Sequence, residues 1–123
     1  MRINAYVYCI EKMDECIKVF KALSDTKRLK IIWLLTNIDE KVCVSEIVEV
    51  LDEYQYNVSR HLRILKEANL ISDVGDGKWV YYNLTPITSE FRHLVQEAIK
   101  AMPTAQMKKE INKCKSLLAK RDN

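Results

Sequence analysis

Both glycines of this 123-residue chain lie in one short segment, Gly75-Asp76-Gly77, between two runs of alternating apolar and polar residues. The runs, residues 70–74 and 78–84, have the period of half-buried strands. An Asp-Gly pair between β-branched and aromatic residues is a strong signal for a hairpin turn. Because an isolated hairpin is marginal in water, it must pack on the rest of the chain, whose apolar residues show helical spacing. The sequence therefore predicts a mainly α domain with one β-hairpin.

Six helices are predicted from apolar residues that recur at spacings of three and four. Asp25, within Ser24-Asp25-Thr26, is in the cluster predicted to cap the second helix, Asn69 is predicted to end the fourth in the left-handed conformation, and Thr85-Pro86 is predicted to start the fifth. The predicted helices span residues 6–23, 26–38, 44–51, 55–68, 86–103 and 105–120. Two short helices followed by a hairpin predict a single winged helix-turn-helix domain over residues 1–123, with its DNA-binding core at about 20–84.

Composition narrows the class of protein. The 20 basic and 17 acidic residues give a net charge of +3, which neither requires nor excludes nucleic acid. With both glycines in one turn, no phosphate-cradling loop is available between a strand and a helix, and the two histidines offer little acid–base chemistry. We therefore expect no enzyme and no bound nucleotide. The longest apolar run, residues 31–35, is far too short to span a membrane, so a cytoplasmic protein without a membrane partner is expected.

The fourth predicted helix carries the candidate DNA-binding residues. Its inward positions Val58, Leu62 and Leu65 are apolar, and the others bear hydrogen-bonding or cationic groups of the kind that contact base edges and phosphates. Residues of its first turns are expected at the bases, whereas Arg63 and Lys66 are expected at phosphates. The candidates are Gln55, Tyr56, Asn57, Ser59, Arg60, His61, Arg63 and Lys66, with Lys78 in the predicted hairpin of residues 70–84, which is the wing of this fold. The alternative is an ordinary solvated helix face; the hairpin and the basic start of the second helix favour DNA.

Three segments resemble the ArsR/SmtB family of metal- and stress-responsive repressors. They are residues 20–29 (FKALSDTKRL), 58–71 (VSRHLRILKEANLI) and 77–84 (GKWVYYNL). The resemblance implies a homodimer built from helices at residues 6–23 and 86–120 and bound to double-stranded operator DNA. Two departures are Tyr54, where the family commonly has a capping serine, and a wing whose positive charge comes chiefly from Lys78.

The resemblance also implies a role for the cysteines, which are Cys9, Cys16, Cys43 and Cys114. Cys43 matches the first cysteine of the family's Cys-Val-Cys pair, and Ser45 replaces the second. In some family members, N-terminal cysteines of one protomer reach the third helix of the other. Cys9 and Cys16, seven residues apart on one predicted helix face, are thus expected to join Cys43 in binding trivalent arsenic or a soft ion such as cadmium or lead.

Other interpretations of the cysteines remain open. Cys43 fits a small buried filler, Cys9 and Cys16 fit a dimer interface, and Cys114 lies on the apolar stripe of the last helix. Alternatively, Cys114 pairs with Cys43 or Cys16 in a redox sensor. The family's zinc-type site on the helix after the wing is absent from the sequence. The expected function is thus a repressor released by a thiol-reactive inducer; the alternatives are a redox- or sulfide-responsive repressor and a dimeric protein-interaction module without DNA binding.

Overall fold

The computed structural model describes residues 12–103 and 105–121, and this part of the chain forms six α-helices and a small three-stranded sheet. A short 3-10 helix, Ala105–Met107, precedes the last α-helix. The α-helices are α1 Met13–Leu23, α2 Thr26–Asn37, α3 Val44–Leu51, α4 Gln55–Glu67, α5 Glu90–Lys100 and α6 Lys108–Lys120, and the strands are β1 Val42–Cys43, β2 Ile71–Asp76 and β3 Trp79–Leu84.

Helix α2 forms the centre of the core. The Asp25 carboxylate accepts hydrogen bonds from the backbone N–H groups of Lys27 and Arg28, at 2.9 and 3.1 Å, and so caps the helix as predicted. Residues 31–35 are all buried, and Trp33 is 1% exposed. A helix buried on nearly every side must be covered by its neighbours, and α1, α4, α5 and α6 all pack on it.

The sheet has three strands in the order β1-β3-β2, all antiparallel. The predicted hairpin is confirmed: Asp76 pairs with Trp79, and Gly77 takes a φ of +63° in the turn between them. The prediction of one hairpin alone missed β1, because two residues are too few to show alternation. Strand β1 places Cys43 opposite Tyr81, at the base of the wing.

Helix α6 belongs to the same core as the helix-turn-helix. It packs against α2 and α3, and its residues Met107 (just before the helix), Cys114 and Leu118 are buried at 8%, 0% and 8% exposure. The chain itself therefore covers these positions of the apolar stripe of α6, and a dimer built from the helices of residues 86–120 stays a prediction.

Two predicted helix starts are wrong. Lys12 is extended (φ −85°, ψ 154°), so α1 begins at Met13 and no continuous helix covers residues 6–23; residues 6–11 lie outside the described residues. Helix α5 begins at Glu90, where the Ser89 hydroxyl accepts from the N–H of Arg92, and not at Thr85-Pro86. The reason is that Thr85 still belongs to the wing: its N–H and its hydroxyl donate to the carbonyls of Leu70 and Asn69.

Candidate nucleic-acid interface

The turn between α3 and α4 presents the start of α4 to solvent. Asp52 ends α3 in the left-handed conformation at φ 52°. The side chain of Tyr54 does not cap α4, which begins at Gln55 as predicted. Instead, the Glu53 carboxylate accepts from the Tyr54 N–H and from the Asn57 amide, both at 3.1 Å. These hydrogen bonds hold the pKa of Glu53 below its usual value.

One side of α4 is buried and the opposite side is exposed to solvent, as predicted. Val58, Leu62 and Leu65 are at most 1% exposed and form the core contact. The opposite side carries hydrogen-bonding and cationic side chains of the types that pair with adenine and guanine edges or with phosphates. The predicted site residues exposed on it are Gln55, Tyr56, Ser59, Arg60, Arg63 and Lys66.

His61 does not lie on that exposed side. It is only 6% exposed, and its Nδ1 lies 3.3 Å from Nη1 of Arg28 in α2. Burial lowers the pKa of His61, and the nearby Asp25 carboxylate only partly opposes this effect. The prediction that His61 contacts DNA is therefore wrong, because the ring faces the interior. Asn57 is half-buried and bound to Glu53, so its amide is also engaged within the chain.

Lys66 joins α4 to the wing. Its Nζ lies 2.9 Å from the Asp73 carboxylate in β2. This hydrogen bond raises the pKa of Lys66 and lowers that of Asp73. The pair is exposed and so contributes little stability, but it engages one of the two cations predicted to contact phosphate. A phosphate contact by Lys66 stays a prediction.

The wing tip is partly apolar. Lys78 is exposed beside the turn and its Nζ lies 5.6 Å from the centroid of the Trp79 ring, a cation–π arrangement. Val74, Trp79 and Val80 are between 43% and 49% exposed. Lys41 lies 3.8 Å from Asp76 near the tip. Lys78 therefore remains the wing's candidate for a DNA contact, on a surface richer in apolar than in basic groups.

The basic start of α2 has partners within the chain. Lys27 lies 3.5 Å from the Glu53 carboxylate, and Arg28 donates from Nε to the Ala22 carbonyl at 2.7 Å. These contacts explain why cations are tolerated at the positive end of a helix dipole without any external anion. The basic start of α2 therefore gives little support for DNA binding, and the exposed side of α4 gives the main support.

The cysteine thiols differ in their burial and in their position in the fold. Cys43 is 7% exposed at the start of α3, with its Sγ 3.2 Å from the Ser45 hydroxyl. Cys16 is half-buried in α1, whereas Cys9 lies outside the described residues. Because Lys12 is extended, the helix predicted to carry both Cys9 and Cys16 begins only at Met13 within the described residues. Among residues 12–103 and 105–121, no group of three or more Cys, His, Asp or Glu side chains is arranged to hold a metal ion, so the expected three-thiolate set is not assembled there.

Cys114 is enclosed in the core. It is 0% exposed, and burial raises its pKa to about 11. A thiol with so high a pKa stays protonated near neutral pH and is a poor nucleophile. This finding favours the interpretation of Cys114 as core filler over its role in a redox pair.

Sequence reasoning missed Arg121, which lies just beyond α6. Its guanidinium binds both carboxylate oxygens of Glu46 in α3, donates to the Lys41 carbonyl at 3.0 Å, and lies 5.0 Å from the centre of the Tyr81 ring. Burial is the largest single effect and acts to raise the pKa of Glu46, but the hydrogen bonds from Arg121 and Cys43 together with the charge of Arg121 outweigh it, so the pKa is lowered. Glu46 also accepts from the N–H of Cys43 at 2.9 Å. Arg121 thus ties the end of the described chain to the surroundings of Cys43.

Comparison with known proteins places this architecture in a family. A family model described as bacterial regulatory protein, arsR family, matches residues 25–73. An uncharacterized HTH-type transcriptional regulator of Methanocaldococcus jannaschii is 35% identical over 89 residues, which cover 72% of this chain and 99% of that protein. The chain belongs to the ArsR family.

Relatives with named roles match this ArsR-family chain over a shorter part. The arsenical resistance operon repressor of Escherichia coli is 44% identical over 70 residues, which cover 57% of the chain and 59% of that protein. A cadmium resistance regulatory protein homolog of Staphylococcus aureus is 36% identical over 81 residues, which cover 66% and 64%. The chain thus spans about three fifths of the length of these relatives, which are transcriptional regulators and not enzymes.

A solved structure confirms the fold. A homodimeric winged helix-turn-helix DNA-binding domain from Mycobacterium bovis superimposes with a TM-score of 0.60 at 24% identity, over 72% of this chain and 77% of that one. The ArsR-family chain therefore has the winged helix-turn-helix fold that its sequence predicts. In the described part of the chain, no helix has both the length and the apolar composition that crossing a membrane requires.

Proposed function

We propose that this chain is a transcriptional repressor that binds double-stranded operator DNA as a homodimer, through α4 and the wing. The observation that carries the proposal is the free side of α4. It bears Gln55, Ser59, Arg60 and Arg63 on a helix whose other side is locked into the core. A helix fits the major groove, where amide and guanidinium groups pair with adenine and guanine edges.

The dimer is proposed from uncovered apolar side chains on α1 and α5. Phe20 and Leu94 are 60% and 57% exposed, and the Phe20 ring meets Phe91 edge to face with centroids 5.4 Å apart, so the two helices share one apolar surface. Met13 and Ile17 extend it at 74% and 41% exposure. Exposed apolar patches of this kind mark interaction sites. Two α4 helices about one DNA turn apart would then match an imperfect palindrome.

The proposed inducer is thiol-reactive: trivalent arsenic or a soft ion such as cadmium or lead, as the names of the relatives suggest. Cys43 is the proposed anchor, because it immediately precedes α3 and pairs with Tyr81 in the sheet of the wing. Within the described residues one protomer does not supply the remaining thiolates, so Cys9 and Cys16 are proposed to complete the set at the dimer interface. A coupling of about 1–3 kcal/mol between inducer and DNA would suffice for release.

DNA selection tests the proposal. The purified chain is incubated with a pool of randomised duplexes, and the bound fraction is sequenced and then titrated with increasing salt. We expect one imperfect palindrome to be enriched and its binding to weaken steeply with salt. An unenriched pool would contradict the repressor.

Arsenite and cadmium titrations of the selected complex test the inducer. We expect release of the DNA, with a blunted response in Cys43→Ser and an unaltered response in the matched control Cys114→Ala. Release by peroxide and not by either metal would favour the redox-responsive alternative instead.

A further inference from the structure

Three residues at spacings of four form a polar stripe beside the core side of α4. Glu53, in the turn before the helix, is followed along this edge by Asn57 and His61 within it. Glu53 accepts from Asn57 and approaches Lys27 to 3.5 Å, and His61 meets Arg28 at 3.3 Å. All three therefore engage the corner between α1 and α2, or one another, and leave Arg60 and Ser59 free beside them.

Arg28 is a fixed anchor for this stripe. Its Nε donates to the Ala22 carbonyl at the end of α1, and its own backbone N–H bonds to the Asp25 carboxylate. The end of a helix favours a cation, because its last carbonyls lack partners. The guanidinium is thereby held by α1, whose Lys21 carbonyl also lies 3.5 Å from Nη2, while Nη1 lies against His61 of α4.

The contact with His61 requires a neutral ring. A guanidinium has no acceptor, so Arg28 donates and Nδ1 of His61 must be unprotonated. The charges that act on the ring are Asp25 and Arg28 from the α2 side, Arg60 in α4 itself and Glu53 in the turn before it, while α1 presents the carbonyls that bind Arg28. Burial lowers the pKa of His61, which favours the neutral form.

We propose that the Arg28–His61 contact, together with Asn57 and Glu53, positions α4, the proposed recognition helix, and does not itself contact DNA. The apolar residues Val58 and Leu62 set how deeply α4 sits, but such contacts tolerate rotation because they are not directional. Directional hydrogen bonds from the α1–α2 corner restrict rotation about the helix axis. That rotation decides where Arg60 aims, and recognition demands placement within about 0.5 Å and 10–20°. This inference rests on the proposed function.

Two substitutions of His61 test the proposal. His61→Leu keeps the volume but removes the acceptor, whereas the amide oxygen of His61→Asn lies near the place of Nδ1. Both variants are titrated against the selected operator and against a scrambled duplex of equal length. We expect His61→Leu to weaken operator binding about tenfold or more while changing binding to the scrambled duplex less than about twofold, because misdirected base contacts affect only the operator. His61→Asn should restore most of the operator affinity.

Arg63→Gln is the matched comparison, since a phosphate contact would weaken both duplexes alike. Equal losses on both duplexes for His61→Leu, or no loss, would overturn the positioning role. Should His61→Leu not fold, the ¹⁵N shifts of His61 in the wild-type chain decide: Nδ1 must be unprotonated at pH 7.5 with and without operator, and a proton on Nδ1 would overturn the proposal. A wild-type chain that selects no sequence would instead overturn the proposed function, and this inference with it.

Discussion

Adjacent residues of α4 have opposite environments. Arg60 is exposed, whereas His61 is 6% exposed against Arg28. The spacing contained this information, because His61 lies three residues after Val58 and four before Leu65, on the buried side of the helix. Residue type outweighed position in the prediction, since a polar side chain on a recognition helix suggests DNA. Burial of a polar residue requires a partner, and Arg28, 33 positions away, is not identifiable from local sequence.

The exposed guanidinium of Arg60 is expected to contribute to operator recognition. Arg60→Ala should weaken operator binding by about 1–3 kcal/mol, because one bidentate contact to guanine is lost, and should leave the melting temperature nearly unchanged. Competition titrations with operators altered one base pair at a time measure the effect. If Arg60→Ala discriminates between these operators as the wild type does, Arg60 makes no base contact.

The buried thiol of Cys114 predicts a pH dependence. Its pKa is about 11 in the folded chain against 9.0 for an ordinary thiol, so the folded state holds the proton more tightly. This contribution to stability is fully present below pH 9 and is lost as the pH rises toward 11. Denaturant titrations should show the wild type losing more stability over this range than Cys114→Val. Equal losses of stability in the two proteins would contradict a raised pKa for the Cys114 thiol.

At the scale of helices and strands, the sequence predicted the elements whose own residues carry a local signal. The bounds of α2, α3 and α4 follow from capping residues and apolar spacing, to within one residue. Strand β1 and the start of α5 were missed because tertiary contacts decide them: β1 exists only beside β3, and Thr85 is retained by the wing through Leu70 and Asn69. The docking of α6 on α3 likewise has no local signal, since Arg121 and Glu46 are 75 residues apart.

The contact of Arg121 with Glu46 is expected to hold α6 against α3 and to shield Cys43. Arg121→Ala should lower the free energy of unfolding by about 1–2 kcal/mol, which is the usual value for a charged, hydrogen-bonded pair after a discount for partial exposure. The same change should also speed the alkylation of Cys43 by iodoacetamide, and peptide mass spectrometry measures this rate. The control is Lys120→Ala, an exposed change at the end of the same helix. An unchanged alkylation rate would show that Arg121 does not limit access to Cys43.

At the scale of the whole molecule, the dimer rests on the apolar surface shared by α1 and α5. Leu94→Glu places a charge on a side chain that is 57% exposed, and it should shift the chain to a monomer in sedimentation velocity with little change in the circular dichroism of the helices. Ser116→Glu adds the same charge to an exposed position of α6 and should leave the oligomeric state unchanged. A dimer that survives Leu94→Glu would place the interface elsewhere.

Specific DNA binding is the central claim, and fluorescence anisotropy tests it most directly. The wild-type chain is titrated against its selected operator and against a scrambled duplex at one fixed, physiological salt concentration. We predict that the operator is bound at least about a thousandfold more tightly, as is usual for specific DNA-binding proteins. Equal affinity for both duplexes would contradict the account, because the exposed side of α4 would then supply charge without sequence recognition.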